Sequence, residues 1–458
     1  MRWDTQAASA SQIRASHEAL LRYASAAAPD EVFLEDMQRR IDAAAARRAS
    51  DSMPAASSHD FLRVLLLSYS GAGNTGADLR TIETIEQVER VLAHRSPRIT
   101  LLALGSQFDH PVLARITKLT SPLEYLPDIL DAAMCEADVV INVEGSTYTS
   151  KFSDSLAGIL IGGLALAQAH GCAAIAYGID SGTISAPLER FVRHNAARST
   201  VICRNEAART QLAGFGIATE QGADTAWSWR AAARAERRNE RIVALCPNNP
   251  FWWPVCANAP RAAALDYAGK TSPLRYGPLH FHSWDDARAL GYEAYLNRFA
   301  EIGRALQERG YTPVVVGMES LDAAACADLA ARLPPGSCTV VVRGPDNLAT
   351  VATTVAQADC VVTTRYHAAV LALSHGVPAF GLSMDERIAR LLDEAGLSDW
   401  HARCDAPNAA VLALERIATL DDANQCASVV AACEQYADTQ RTLLESMGRR
   451  LADAIDGR

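Results

Sequence analysis

Residues 359–392 read DCVVTTRYHAAVLALSHGVPAFGLSMDERIARLL, and the succession of element types in this stretch decides the fold. The apolar run Cys360 to Thr363 has the length and branching of a buried strand. A polar elbow with Arg365 and His367 follows, then an apolar helix from Ala368 to Ser374 and a Gly376-Val377-Pro378 break. A second strand runs from Ala379 to Leu382, and another helix starts near Asp385. In an open parallel sheet the carboxyl end of a strand meets the amino end of the next helix at the ligand crevice, where backbone N–H groups and the helix dipole favour anions. The elbow puts Arg365 and His367 there. Arg offers a planar fixed charge that matches carboxylate or phosphate, and His moves a proton near neutral pH, so the pair points to a small anionic ligand. Strands followed by Arg and His are also common structural features of α/β proteins. Position at the elbow and strongly apolar flanks favour function here.

The same unit of strand, polar end and helix recurs upstream. In FLRVLLLSYSGAGNTGADLR (61–80) a strand from Leu62 to Leu67 runs through a turn with Gly71, Gly73 and Gly76 into an amphipathic helix. That is a potential anion-binding loop, although it is neither GxGxxG nor a Walker loop. A strand follows at Ile99 to Leu104. Another, Ala137 to Val143, ends in EGSTYTSKFSD (144–154), which crowds Glu144, Gly145, Ser146, Lys151 and Asp154 at one strand end. After the strand Ala173 to Gly178 come TVICRNEAARTQLAGFGI (200–217), with Arg204 at a strand end, and GADTAW (222–227), with Asp224 and Trp227.

Beyond a charged linker near 230–241 the pattern restarts with RIVALCP (241–247) and an unusual loop, NNPFWWPVCANAP (248–260). Asn249, Trp252 and Trp253 beside two prolines suit neither strand nor helix; the loop either packs on the body or lines a pocket wall. TSPLRYGPLHFHSWDD (271–286) adds two His at i, i+2 without a third ligand, and no metal is expected. The repeat implies an α/β fold with two Rossmann-like doubly wound parallel-sheet domains. The expected division is a helical amino-terminal extension and linker at 1–60, the first Rossmann-like domain at 61–232, the second at 233–420 with the Arg-x-His elbow, and a helical segment at 421–458 that crosses back as a brace. The extension either docks on the body or mediates formation of a homodimer.

Composition narrows the class. With 458 residues the chain exceeds one ordinary core. A formal charge of −10 argues against a nucleic-acid partner. No apolar run is long enough for a membrane span, and the weakly polar run 156–169 reads as a buried helix. No export signal is visible, so a cytoplasmic location is expected. Eleven cysteines without a CxxC pair read as buried thiols.

Taken together, SGAGNTGAD (70–78), ADVVINVEGS (137–146), CRNEAARTQLAGFGI (203–217) with GADTAW, and TTRYHAAVLALSHGVPAFGLSMDERIARLL (363–392) resemble the polysaccharide pyruvyl transferase family, in this order over about residues 62–400. The resemblance implies a GT-B-like fold and an enzyme that moves the pyruvyl group of phosphoenolpyruvate onto two hydroxyls of a sugar-like acceptor as a ketal, with phosphoenolpyruvate as substrate and no cofactor. Carried over by position, Arg365 and Arg204 would hold the donor and His367 would be the general acid or base. Lys151, Ser146 and Gly145 are further donor-side candidates. Asp78, Arg80, Glu144, Asn249, Trp252 and Trp253 are acceptor-side candidates. Glu144-Gly145-Ser146 stands where the family commonly has a Gly-rich run, and the NNPFWWP loop has no counterpart in the simplest family pattern; both mark a distinct subgroup and bear on the acceptor. Two alternatives remain open: a GT-B-type glycosyltransferase using a nucleotide sugar, and a non-catalytic anion-binding member of a biosynthetic assembly.

Overall fold

The computed structural model describes residues 22–457 except 24, 51–59, 104–107, 121–126, 232–239, 271, 273, 277–278 and 282–283. Its first lobe is built on β1 (Arg63–Leu67), β2 (Arg98–Ala103), β3 (Thr117–Thr120), β4 (Val139–Asn142), β5 (Ala173–Ile179), β6 (Thr200–Cys203) and β7 (Thr219–Gln221). These form one sheet in the order β3-β2-β1-β4-β5-β6-β7, parallel throughout. The second lobe begins with β8 (Arg241–Cys246) and a small antiparallel sheet ordered β10-β11-β9, made of β9 (Val255–Ala257), β10 (Arg275–Tyr276) and β11 (Leu279–Phe281). It continues with β12 (Tyr311–Gly317), β13 (Thr339–Val342), β14 (Cys360–Thr363), β15 (Ala379–Ser383) and β16 (His401–Arg403), which join β8 in a parallel sheet ordered β13-β12-β8-β14-β15-β16. Chain order reverses at the centre of each sheet, between β1 and β4 and between β8 and β14. The carboxyl ends of these strands form the crevice.

The sequence explains the parallel pairing. In β1, Val64 and Leu66 enter one core while Leu65 and Leu67 enter the other, so both faces of the strand are apolar and both are covered. Helix α1 (Pro29–Ser50) covers one face by lying on α3 (Asp154–His170); α2 (Thr75–Val91) follows β1. Leu34 and Met37 of α1 occupy the space that Cβ atoms at Gly158 and Gly162 would need, 2.4 Å away in each case. The amino-terminal helix therefore docks on the body. Helix α4 (Glu206–Gly214) follows β6, α5 (Tyr366–Ser374) follows β14 and α6 (Glu386–Glu394) follows β15. The carboxyl-terminal brace is one 34-residue helix, α7 (Ala423–Asp456). Its Leu444 carbonyl accepts from Gln87 Nε2 at 2.7 Å, and its Asp456 pairs with Arg95 at 2.8 Å, so it returns to the first lobe. Among the described residues no helix is long and apolar enough to cross a membrane.

Two local expectations are corrected. The expected loop 248–260 contains a strand of the small sheet, Val255–Ala257, because strands of two or three residues are too short to show a period of two. The Gly-rich turn is a latch between lobes rather than an open anion cradle. Gly71 and Gly73 supply positive φ, 82° and 74°. The N–H of Gly71 donates to Asp78 Oδ1 at 3.0 Å and that of Ala77 to Asn74 Oδ1 at 3.1 Å. The N–H of Thr75 donates across the lobe boundary to the Met318 carbonyl at 2.9 Å, and the Gly73 carbonyl accepts from Ser320 at 3.0 Å. With these donors engaged, the turn has little left to offer a phosphate.

Candidate active site

Three strand ends of the first lobe supply the centre. Asp180 follows β5, Arg204 follows β6 and Asp224 follows β7. Arg204 Nη2 donates to Asp180 Oδ2 at 2.7 Å and Nη1 to Asp224 Oδ2 at 2.8 Å, while Asn205 Nδ2 steadies Asp180 Oδ1 at 2.9 Å. Arg80, from α2, lies 2.5 Å from the same Asp224 oxygen and donates to the carbonyls of Val143 and Gly178 at 2.9 Å each. Gly145 is required here: a Cβ would fall 2.6 Å from Arg204 Nη1.

The second lobe meets this centre through α5. Tyr366 lies under the Arg204 guanidinium, 4.0 Å from ring centroid to Cζ, a cation–π contact between the lobes. His367 Nε2 lies 3.3 Å from Asp224 Oδ2, and its ring packs beneath Gly76. Arg204 and His367, from separate strand ends in separate lobes, thus share one carboxylate. Burial works against the Asp224 charge, yet Arg80, His367 and Arg204 hold it well below the usual carboxylate range. Burial also pushes the His367 imidazole below its ordinary value, against the pull of Asp224. Arg204 is opposed by burial but held cationic by Tyr366, Asp180 and Asp224.

Arg365, expected on the donor side, is engaged elsewhere. Its Nη1 lies 2.8 Å from Glu319 Oε2, its Nε donates to Asp322 Oδ2 at 3.0 Å, and Nη2 also contacts Asp322. Burial pushes Glu319 up to about 7, against Arg365. The guanidinium fork therefore pins the elbow to the segment after β12. Asp78 and Arg80, expected near the acceptor, are enclosed. Asp78 pairs with Arg343 at 2.8 Å with both side chains fully buried, and Arg80 is 1% exposed.

The remaining candidates divide between a cleft and its supports. A cleft of about 250 Å³ between the lobes is lined by Ser146, Lys151, Phe152, Asp180, Trp253 and Arg387, with neighbouring backbone. Lys151 Nζ reaches the Met384 carbonyl at 3.4 Å; burial pushes its pKa down, against Asp385. Trp253 stands edge-on to Phe152 at 4.9 Å. Glu144 Oε1 accepts from the Ser146 N–H at 3.1 Å, and Asn249 Oδ1 accepts from the Phe251 N–H at 3.0 Å, so both shape turns beside the cleft. Trp252 is half-buried in the same loop.

Arg387, which was not singled out in the sequence, is the cation of this cleft from the second lobe. It donates to Ser146 Oγ at 3.1 Å and is steadied by Asp385 at 2.7 Å. Arg387 sits in the first turn of α6, the position that His367 holds in α5.

Comparison with curated proteins gives no match. Among solved structures the chain is similar to UDP-GlcNAc 2-epimerase from Neisseria meningitidis bound to UDP-GlcNAc, with TM-score 0.51 at 8% identity over 87% of this chain and 100% of that one. It is also similar to S. aureus MnaA solved with UDP, with TM-score 0.52 at 8% identity over 82% and 91%. At such identity the likeness is one of fold, and that fold is GT-B-like. The sequence model for polysaccharide pyruvyl transferase matches residues 16–386, a span that takes in α1, both crevice-forming strand pairs, Arg204 and the Arg-x-His elbow. The chain belongs to the polysaccharide pyruvyl transferase family.

Proposed function

We propose that the protein transfers the pyruvyl group of phosphoenolpyruvate to two hydroxyls of a sugar-like acceptor, forming a cyclic ketal in the crevice between the lobes. The observation that carries this is the meeting of Arg204 and His367 on Asp224 beside a cleft to which Lys151 and Arg387 bring positive charge. A dianionic three-carbon donor needs fixed positive charge and one group that moves protons. The cations on the cleft lining are Lys151 and Arg387, and Arg204 stands behind Asp180. Arg387 is the donor-holding cation in this scheme; Arg204, expected to hold the donor, is instead 1% exposed and spent on Asp180 and Asp224, so it fixes the carboxylate that His367 meets. Arg365 acts one step back by fixing the elbow that aims His367.

The protons balance. His367 protonates C3 of the enol as the first acceptor hydroxyl bonds to C2 and gives up its proton. Phosphate then leaves with the C2–O electron pair, and the second hydroxyl closes the ring at C2. One hydroxyl proton replaces the one delivered to C3 by His367, and the other leaves with phosphate.

Thermal unfolding of the full chain with phosphoenolpyruvate, UDP or GDP tests the donor. A ligand at a hundred times its Kd, binding only the folded form, stabilises by about 2.7 kcal/mol. A shift with phosphoenolpyruvate alone is expected. A shift with a nucleotide diphosphate and none with phosphoenolpyruvate overturns the proposal in favour of nucleotide-sugar chemistry.

A further inference from the structure

Two segments from different lobes are tied to each other at both ends. One is the end of the first lobe, Asp224 to Ala231, through which the chain leaves for the second. The other is α5, with His367 in its first turn and His375 just past its last residue. At one end His367 Nε2 lies 3.3 Å from Asp224 Oδ2, and at the other the Ala231 N–H donates to His375 Nε2 at 3.0 Å. About 12 Å of helix separates the two histidines. Between the ties both segments are stiff. Asp224 Oδ1 accepts from the Ala226 N–H at 3.0 Å, its carbonyl from Trp227 at 3.1 Å, and the Ala226 carbonyl from Trp229 at 3.2 Å. Every residue of α5 except His367 is buried. A shift at one tie is therefore passed to the other.

The form of the His375 ring is fixed as well. Its Nδ1 lies 2.9 Å from the Leu371 carbonyl, which only accepts, so Nδ1 carries the proton and Nε2 presents its lone pair to Ala231. Burial, against the Leu371 carbonyl, and then the Arg230 and Arg441 guanidiniums push the imidazole below its ordinary value and keep it neutral. Trp229 stands edge-on to the ring at 5.5 Å, and Arg441 of α7 donates to the neighbouring Ser374 carbonyl at 2.5 Å. Arg365 has a different task. It ties the elbow to Glu319 and Asp322 of its own lobe, so it does not set how α5 lies along the segment that bears Asp224.

Resting on pyruvyl transfer with His367 as the proton donor, we propose that His375 is a positioning residue. By accepting from the Ala231 N–H it sets α5 lengthwise against residues 224–231, and so holds the His367 ring within reach of Asp224. It touches no substrate and moves no proton. Its contribution is the distance between an imidazole from one lobe and a carboxylate from the other.

The test reads His367 without any ligand. The full chain is labelled with nitrogen-15 histidine, and the His367 ring resonance is assigned by its loss in His367→Gln. His375→Phe keeps a ring beside Trp229 and removes the acceptor, while Ala231→Pro removes the donor from the other side. In both, the His367 resonance is expected to shift. His375→Gln, whose amide oxygen reaches the place of Nε2, is expected to return it to the wild-type position. Phosphate release from phosphoenolpyruvate, with a mixture of neutral methyl pyranosides as the acceptor probe, is expected to fall about ten- to a hundredfold in His375→Phe while the shift in Tm with phosphoenolpyruvate is kept. A His367 resonance unmoved in both His375→Phe and Ala231→Pro overturns the positioning role, even where Tm falls, and so does a shift that His375→Gln fails to reverse. Failure of phosphoenolpyruvate to shift the wild-type Tm overturns pyruvyl transfer instead, and the resonance still decides the role of His375.

Discussion

Asp224 and His367 lie 3.3 Å apart across the boundary between the lobes, the carboxylate from the end of β7 and the imidazole from the first turn of α5. The pairing sets a sign for pH dependence. Burial lowers the His367 pKa below its ordinary 6.5, so the free protein holds a neutral ring at pH 7. If His367 delivers the proton to C3, kcat/KM for phosphoenolpyruvate rises as pH falls below 6.5, since only the protonated fraction is competent. Phosphate release across pH 5 to 8 checks this. In His367→Gln turnover is lost and the limb disappears, whereas a pH profile unchanged in that variant removes His367 from the chemistry.

Gly76 sets the height of the same ring. A Cβ there would lie 2.0 Å from His367 Nδ1 and 2.3 Å from Cγ, distances at which the ring or the first turn of α2 must move. Gly76→Ala is expected to destabilise by about 1–3 kcal/mol, as overpacking does. A larger proportional fall in kcat than in phosphoenolpyruvate affinity is expected too, because proton transfer depends on the ring position. Denaturant unfolding and steady-state kinetics on one preparation separate these effects; an equal loss in both kinetic terms counts against it.

Asp78 and Arg343 hold the lobes together at a point with no exposure. Arg343→Met leaves a buried carboxylate without its cation, which costs about 3–5 kcal/mol. The double change Asp78→Asn with Arg343→Met removes both charges, and most of that loss is expected to return. Urea denaturation of the single and double variants measures it. A double variant no more stable than the single one would mean that the pair is not a coupled unit.

How much of this was legible follows from how local each feature is. The strand and helix succession in 359–392 appears in the structure within a residue or two, because buried parallel strands write themselves as short apolar runs and Gly-Val-Pro interrupts any helix. The elbow positions of Arg204 and His367 were visible for the same reason. Asp224 was visible at its own strand end too, but its role as their common partner was not, since only the packing of one lobe on the other unites the three. Arg365 shows the limit from the other side. A guanidinium at an elbow is equally suited to a ligand or to neighbouring carboxylates, and Glu319 and Asp322 lie more than forty residues upstream. Arg387 was within reach, since it lies in the first turn of the helix that ends the very stretch that decided the fold, but only the packing of the lobes brings it to Ser146.

Arg365→Lys carries the last prediction, and its sign comes from Glu319. Burial raises the folded pKa of Glu319 to about 7, above the ordinary 4.5, so its contribution to stability is fully present below 4.5 and is lost as pH rises through about 7. An ammonium keeps the charge but cannot span Glu319 and Asp322 with a planar fork, and each charged hydrogen bond lost costs about 1.5–3 kcal/mol. Weaker compensation pushes the Glu319 pKa higher still, so the penalty grows where the carboxyl must ionise. The loss of Tm in Arg365→Lys is therefore expected to be larger at pH 8 than at pH 5, and Glu319→Gln in the same background is expected to remove that difference. Equal losses at the two pH values would mean that Glu319 does not titrate against Arg365, and the elbow would then be held by Asp322 alone.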